Sequence, residues 1–187
     1  MPEFVLASAS PRRRELLSYL IKEFTVSPTD SDENLPEGIR ADQAVELLSR
    51  RKAEACAKKY PQAVIIGCDT VVELDGEILG KPADEDDAGR MLSLLSGKTH
   101  HVYTGVCIIF QNLVHTFHVC TSVTFVSLTQ EQISAYLATG EPFDKAGAYG
   151  IQGYGCTLVK QINGCYYNVM GLPVAELGEQ LKTLCLL

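Results

Sequence analysis

The apolar positions of the chain fall into short continuous runs that alternate with segments of helical spacing. Residues 4–7 read Phe-Val-Leu-Ala, and residues 63–68 read Ala-Val-Ile-Ile-Gly-Cys. A continuous apolar run of this length is typical of a strand that is buried on both faces of a sheet. Residues 102–110 and 114–126 predict two longer strands that turn at positions 111–112.

Two residue pairs of the type found in tight hairpin turns interrupt further apolar segments. Asp75 and Gly76 form one pair, and Asn163 and Gly164 form the other. Such pairs readily adopt the positive φ angles of a two-residue hairpin turn. The strands predicted to flank them are 71–74 and 77–79 for the first hairpin, and 157–162 and 166–169 for the second.

Capping residues mark the starts of two predicted helices. Ser10 is a favoured N-cap residue and Pro11 fits the first helical position. Thr129 and Gln132 have the spacing of a capping box. Helices are predicted over 12–20, 42–60, 84–95 and 129–139 and from 173 onward, with loops over 27–38 and 143–153.

Composition narrows the class of protein. The 187 residues suit a single domain over 1–187, or two small lobes that share one sheet. The net charge of −7 disfavours a nucleic-acid backbone as partner, and no stretch of 18 apolar residues predicts a membrane span. The seven cysteines lack Cys-x-x-Cys spacing, which argues against a disulfide framework or a zinc site and favours the cytoplasm.

The start of the first helix is the first candidate for binding chemistry. Ser8 and Ser10 lie in a small-residue loop between a strand and a helix, and Arg12 and Arg13 follow at once. Free N–H groups at a helix N-terminus attract anions, whereas cations are disfavoured there by the helix dipole. Arginines at this position indicate an anionic ligand between them and the helix. A capped helix with solvated arginines is an equally good interpretation of the spacing alone.

A second candidate follows the apolar run 63–68. Asp69 and Thr70 come where that strand is predicted to end, and ligands of open α/β sheets gather at the carboxyl ends of strands. A carboxylate there can bind a metal ion or accept a proton from water, although a polar strand end is the commoner case. Lys81 follows a glycine and could reach a phosphate, or it could simply be solvated.

The glycine-rich segment 144–153 is the third candidate. It contains Lys145, and its Gln152 offers both a donor and an acceptor suited to the edge of a base. A mobile surface loop is the alternative, but the apolar interior of the segment favours a functional loop. His115 and His118 have metal-ligand spacing, yet on a strand they point to opposite faces, which argues against a metal site.

Cations and carboxylates together suit metal-assisted hydrolysis of a phosphoanhydride. The segments that carry them occur in an order that resembles the Maf family of nucleoside triphosphate pyrophosphatases over essentially the whole chain. The matching segments read LASASPRR, RRKAEA, GCDTVV, LGKP, LSGKTHHVYTGV, DKAGAYGIQGYG and VMGLP.

The resemblance implies an α/β fold with a mixed, strongly twisted sheet, whose helices form two lobes around a deep cleft. It also implies hydrolysis of a nucleoside triphosphate to the monophosphate and pyrophosphate with a divalent cation, Mg²⁺ or Mn²⁺. The implied catalytic residues are Asp69 as proton acceptor, Glu33 and Lys81, with Glu33 and Asp69 also as metal ligands. The implied phosphate-binding residues are Ser8, Arg13, Lys52 and Lys145.

Three positions distinguish branches of the family. Arg12, Thr70 and Gln152 match the branch that prefers dTTP and UTP, whereas a branch preferring 7-methyl-GTP differs at each. The expected role is nucleotide-pool housekeeping, with a link to cell-division arrest. The alternatives are a septum-formation inhibitor that acts mainly by binding nucleotide, and a purine-directed pyrophosphatase of similar architecture. A nucleotide is the implied partner, neither nucleic acid nor a membrane is expected, and a homodimer stays open.

Overall fold

The computed structural model describes residues 2–187, which contain one mixed sheet of seven strands. The strand order is β2-β1-β3-β5-β6-β7, with β4 paired to β3. The pairs that β1 makes with β2 and β3 are parallel, and all others are antiparallel. The strands are β1 Phe4–Ala7, β2 Thr25–Val26, β3 Val64–Leu74, β4 Glu77–Leu79, β5 Thr99–Phe110, β6 Leu113–Phe125 and β7 Val159–Asn163.

The helices begin where the capping residues predict. Ser10 caps α1 with Pro11 at its first position, and Thr129 and Gln132 form both bonds of the capping box of α4. No helix in residues 2–187 is long and apolar enough to cross a membrane. The helices are α1 Pro11–Ser18, α2 Ala41–Ala57, α3 Glu85–Leu95, α4 Gln130–Leu137, α5 Tyr166–Met170 and α6 Val174–Thr183, with 3₁₀ turns at Glu141–Asp144, Ala146–Ala148 and Gly153–Leu158.

Two hydrophobic cores on the sheet correspond to the two lobes predicted from the sequence. Both use β3 and β5, but the first packs α1 and α6 on one end of these strands and the second packs α3 and α4 on the other. Asp69 and Thr70 lie on β3 between the core residues Cys68 and Val72. The predicted α/β fold is therefore confirmed, and the polar centre of β3 lies where the lobes meet.

The prediction that Asp69 follows the end of a strand is wrong. The strand β3 continues without a break to Leu74, because β5 pairs with it along its length and places Gly105 opposite Asp69. On the other edge, β1 pairs with β3 as far as Gly67, and β4 begins its pairing at Val72. Within the described chain, positions 68–71 thus have no strand neighbour on that edge, which leaves a gap for side chains and ligand.

The second predicted hairpin is also wrong. The strand β7 pairs with β6 instead, and residues 166–170 form α5 rather than a return strand. The physical reason lies in the approach of Gly164 to the sheet: a Cβ there would come within 2.9 Å of Thr121 Oγ1. That hydroxyl also accepts a hydrogen bond from the N–H of Cys165 and donates to its carbonyl, which turns the chain back over β6.

Two glycines allow α2 to pack directly on the sheet. A Cβ on Gly67 would overlap Ser49 O and lie 2.8 Å from Ala53 N. A Cβ on Gly105 would overlap the carbonyl of Val45 in the same helix. This close approach places the middle of α2 over the polar centre of β3.

Candidate active site

A cavity of about 710 Å³ lies between the two lobes, at the gap along β3. A second cavity of about 260 Å³ adjoins it, and Arg12, Lys145 and Tyr149 line both. Gln152 lies on the wall of the smaller cavity. The structure thus gathers every residue predicted to act in catalysis, phosphate binding or specificity. Apart from Gln152, all of them line the larger cavity: Ser8, Arg12, Arg13, Glu33, Lys52, Asp69, Thr70, Lys81 and Lys145.

Lys52 joins the two predicted catalytic carboxylates. Its Nζ makes ion pairs with Asp69 Oδ1 and with Glu33 Oε1, the latter at 3.1 Å. The side chains of Asp69 and Lys52 are 12% and 15% exposed, whereas that of Glu33 is 68% exposed. The polar loop after β2 therefore brings a solvent-facing carboxylate to a buried carboxylate of the sheet. Their roles in catalysis remain predictions.

The donor set around Lys52 limits what kind of metal ion could bind. No group of three or more His, Cys, Asp or Glu side chains suited to hold a metal occurs between residues 2 and 187. Magnesium commonly takes one or two protein carboxylates and completes its shell with water and substrate phosphates. Glu33 and Asp69 fit an ion bound in that way, and they do not form a closed protein cage.

The loop from β1 to α1 lines the cavity with Ser8, Ser10 and the start of the helix. Ser8 Oγ accepts hydrogen bonds from Ser10 N at 3.2 Å and from Arg13 Nη1 at 3.3 Å. Both lone pairs of this hydroxyl are thereby used, so its hydrogen is available for an acceptor such as a phosphate oxygen. The N-terminus of α1 adds a favourable dipole, although Pro11 has no N–H and the N–H of Arg13 already donates to Ser10 Oγ at 3.4 Å.

Arg13 is anchored inside the protein to a degree that the sequence does not indicate. Its Nε donates to Gly171 O at 2.8 Å, its Nη1 to Cys68 O at 3.0 Å and to Ser8 Oγ, and its Nη2 to Thr70 Oγ1 at 2.9 Å. Four of its five N–H groups are thus committed. Arg13 joins α1 to β3 and to the end of α5, and its predicted phosphate contact could use one remaining N–H group.

The hydroxyl of Thr70 belongs to a hydrogen-bond chain whose direction can be assigned. Thr104 Oγ1 donates to the carbonyl of Asn168 at 2.9 Å, and a carbonyl can only accept. The 2.9 Å bond between Thr70 and Thr104 therefore takes its hydrogen from Thr70. Since Thr70 also accepts from Arg13, it holds that guanidinium in place. Any role of Thr70 in substrate preference can operate through Arg13.

Sequence reasoning missed the buried amide that supports this chain. Asn168 is fully buried, and its Nδ2 donates to Val102 O and to Thr121 Oγ1, both at 3.0 Å. These bonds fix α5, whose Val169 and Met170 line both cavities. The sequence signal for this residue was an asparagine between tyrosines and a valine. The hairpin prediction, which is wrong, placed Asn168 on a strand.

Tyr149, which lines both cavities, is held by a hydrogen bond and by aromatic packing. Tyr149 Oη is 2.7 Å from Nε2 of the buried His100, and both rings pack edge-on against Phe125. Burial lowers the pKa of His100 to about 4, so the imidazole is neutral near pH 7, and burial raises the pKa of Tyr149. These groups shape the cavity and carry no charge into it.

Cys68, His115 and His118 lie outside the proposed chemistry. Burial raises the pKa of the Cys68 thiol to about 11, so it stays protonated beside Asp69. His115 contacts Gln180 of α6, whereas His118 contacts Glu46 of α2. The two histidines therefore engage different helices, as their spacing on a strand predicts.

Comparisons with known proteins identify the family of the chain. A family model described as "Maf-like protein" matches residues 3–184. A dTTP/UTP pyrophosphatase of Halalkalibacterium halodurans is 48% identical over 97% of this chain and 96% of its own length. A dTTP/UTP pyrophosphatase of Moorella thermoacetica is 49% identical over 97% and 94%.

Solved structures share the fold at low sequence identity. A HAM1 protein from Coxiella burnetii is 14% identical, with a TM-score of 0.55 over 99% of this chain and 98% of that chain. The Ham1 protein of Staphylococcus aureus is 16% identical, with a TM-score of 0.53 over 84% and 79%. At this identity the likeness extends to the fold alone.

Proposed function

Because the chain belongs to the Maf-like family, we propose that it hydrolyses nucleoside triphosphates, with dTTP and UTP favoured, to the monophosphate and pyrophosphate. The observation that carries the proposal is the convergence of Glu33 and Asp69 on Lys52 inside a cavity that also faces the N-terminus of α1. Carboxylates beside a phosphate-binding surface suit attack of water on a phosphoanhydride.

The triphosphate occupies the larger cavity in this proposal. Ser8 and the positive end of the α1 dipole face the phosphate oxygens, while Lys81 and Lys145 approach from the opposite lobe. Lys145 is held by hydrogen bonds from its Nζ to Glu141 O at 2.7 Å and to Asp144 Oδ1 at 2.6 Å. Fixed cations stabilise the negative charge that develops on the leaving pyrophosphate.

Asp69 accepts the proton of the attacking water. Its carboxylate is fixed by the strand β3 and by the ion pair of Oδ1 with Lys52, and Asp69 lines the cavity. A divalent ion held by Glu33 and Asp69 would neutralise phosphate charge and acidify a bound water. Either Mg²⁺ or Mn²⁺ suits these oxygen ligands.

The products test this proposal. We expect one pyrophosphate for each UMP or dTMP released from UTP or dTTP, with no diphosphate, because the cleaved bond joins the α- and β-phosphates. Ion-exchange chromatography of reactions with MgCl₂ or MnCl₂ separates the nucleoside mono-, di- and triphosphates, and the pyrophosphate and inorganic phosphate are measured beside them. Accumulation of UDP with inorganic phosphate would contradict the proposed bond cleavage, and tight binding without turnover would favour a nucleotide-binding protein.

Gln152→Glu is expected to lower kcat/KM for UTP and dTTP by roughly fivefold to tenfold, the effect of one lost hydrogen bond. The edge of uracil and thymine presents two carbonyls around N3–H, and a carboxamide can donate to one carbonyl while it accepts from N3–H. Cytosine lacks N3–H and carries an amine at C4. Glutamate keeps the shape of glutamine but loses the N–H donor. The ratio of kcat/KM for UTP or dTTP to that for CTP should therefore fall.

A matched control for this variant is Gln161→Glu, which adds the same charge at an exposed position of β7. Pyrophosphate release from UTP, dTTP and CTP gives kcat/KM for each protein. If Gln152→Glu keeps the original preference, Gln152 only shapes its loop, and Arg12 or Thr70 becomes the better candidate for base selection.

A further inference from the structure

The segment that carries Gln152 lacks the hydrogen-bond ladder of a strand or an α-helix. It runs from Gly150 into the 3₁₀ turn Gly153–Leu158, and Gly153 has a positive φ of 63°. A backbone of this kind must be fixed by side chains if it is to present Gln152 in one orientation. Gly150 is held on one side of Gln152, because its N–H donates to Tyr136 Oη at 3.0 Å.

Glu141 holds the other side of the segment. Its Oε1 accepts the N–H of Tyr154 at 3.0 Å, and its Oε2 accepts the N–H of Gly155 at 3.2 Å. The carboxylate lies directly against Gly153, where a Cβ would come within 3.0 Å of Glu141 Cδ. A carboxylate that accepts from two successive N–H groups makes charge-assisted bonds, which are stronger than bonds between neutral groups.

Glu141 contacts a proposed phosphate-binding residue, Lys145, through its main chain, and the segment that carries Gln152 through its side chain. The contact of Glu141 with Lys145 uses its main-chain carbonyl, so a change of side chain leaves that acceptor in place. Glu141 lines the smaller cavity together with Gln152 and Arg12, and its carboxylate is bonded to the backbone of Tyr154 and Gly155. Its two oxygens already accept hydrogen bonds from the backbone, which favours support of the loop over direct contact with a base.

We propose that Glu141 is a positioning residue for base recognition, which acts by fixing the backbone that presents Gln152. This inference rests on the proposed function and names the source of its base preference. Because Glu141 acts through Gln152, removing the Glu141 carboxylate should lower the UTP-to-CTP ratio of kcat/KM by no more than removing the Gln152 carboxamide does. The phosphate-side contacts and the chemical step should be unaffected.

Glu141→Gln is the first test. It preserves volume but turns one acceptor into an NH₂ group that faces a backbone N–H. We expect KM for UTP and dTTP to rise, kcat to stay within about twofold, and the UTP-to-CTP ratio of kcat/KM to fall by roughly fivefold. The control is Glu131→Gln, at an exposed position in the first turn of α4. Thermal unfolding of each variant checks that the fold is kept.

A double-mutant cycle gives a readout that general destabilisation would not produce. If Glu141 acts through Gln152, adding Glu141→Gln to Gln152→Glu should change the UTP-to-CTP ratio by less than twofold. Additive effects would overturn the proposal, as would an unchanged ratio in Glu141→Gln. Should Glu141→Gln fail to fold, Glu141→Asp, which is too short to reach both N–H groups, must show the same loss of ratio or the proposal is wrong.

The proposed function and this inference can fail separately. If the wild-type protein releases no pyrophosphate, the proposed function is wrong, and calorimetric dissociation constants for UTP and CTP replace kcat/KM. The same criterion then applies, because a selective loss of UTP affinity in Glu141→Gln supports the inference and an unchanged ratio of affinities rejects it.

Discussion

Replacing Asp69 with asparagine is expected to lower kcat by roughly 10²–10⁴-fold, the usual contribution of a positioned general base. The amide has nearly the same shape but cannot accept the proton of the attacking water. The ion pair with Lys52 is lost at the same time, although Glu33 remains as a partner for that amine. Nucleotide affinity should change little, because only Lys52 among the proposed phosphate-binding residues forms an ion pair with Asp69, and Ser8, Arg13, Lys81 and Lys145 line the cavity independently of that pair.

Single-turnover pyrophosphate release and the binding of UTP without metal measure the two parts of this prediction. Asp75→Asn is the matched control: it makes the same change six positions further on, in an exposed turn with a positive φ that asparagine tolerates. A loss of less than tenfold for Asp69→Asn would remove Asp69 from the role of proton acceptor. An equal loss in Asp75→Asn would point to a general effect on the hairpin.

Gly67→Ala should lower the free energy of unfolding by at least the roughly 1–3 kcal/mol that overpacking a core typically costs. The new Cβ would meet the backbone of α2 at Ser49 and Ala53, and backbone atoms cannot move aside as a flexible side chain can. The helix must shift, and Lys52 lies between those two contacts. Activity should therefore fall together with the free energy of unfolding.

Urea unfolding followed by circular dichroism measures the free energy, and pyrophosphate release at low urea measures activity. Gly89→Ala is a control in which stability should rise, because Gly89 lies inside α3 and its Cβ would make an ordinary 3.7 Å contact with Leu137 Cδ1 of α4. Alanine in a helix interior should stabilise that variant by roughly 0.5–1 kcal/mol. If Gly67→Ala unfolds like the wild type, α2 does not depend on the missing Cβ for its place on the sheet.

The buried chain of hydrogen bonds beneath the cavity explains how residues far apart in sequence share one site. Arg13 on α1 reaches Gly171 after α5, and Thr70 on β3 reaches Asn168 through Thr104 on β5. A group fixed by several such bonds reorganises little when charge develops nearby, which favours catalysis by preorganised electrostatics. The chain therefore links the packing of the sheet to the geometry of the proposed phosphate site.

The sequence alone determined the features that depend on neighbours along the chain. Ser10 and Pro11 start α1 because a cap and the first helical position are local requirements, and the hairpin at Asp75 and Gly76 forms for the same reason. The residue types at Ser8 and Asp69 suggested an anion site with a carboxylate, but they were equally or better explained by a capped helix and a polar strand end. The order of the motifs, through the resemblance to the Maf family, implied the α/β fold, which the structure confirms.

Tertiary structure decided what depends on contacts between distant segments. Asp69 lies inside β3 because β5 pairs past it while β1 stops at Gly67, and no local signal records where a neighbouring strand ends. The residues after Asn163 form a helix because Gly164 packs on Thr121, more than 40 positions away. Glu33 meets Asp69 only through Lys52, and Glu141 reaches the Gln152 loop only once the 3₁₀ turns have folded. Propensity and spacing act over a few residues, whereas these contacts depend on how the sheet and its helices pack.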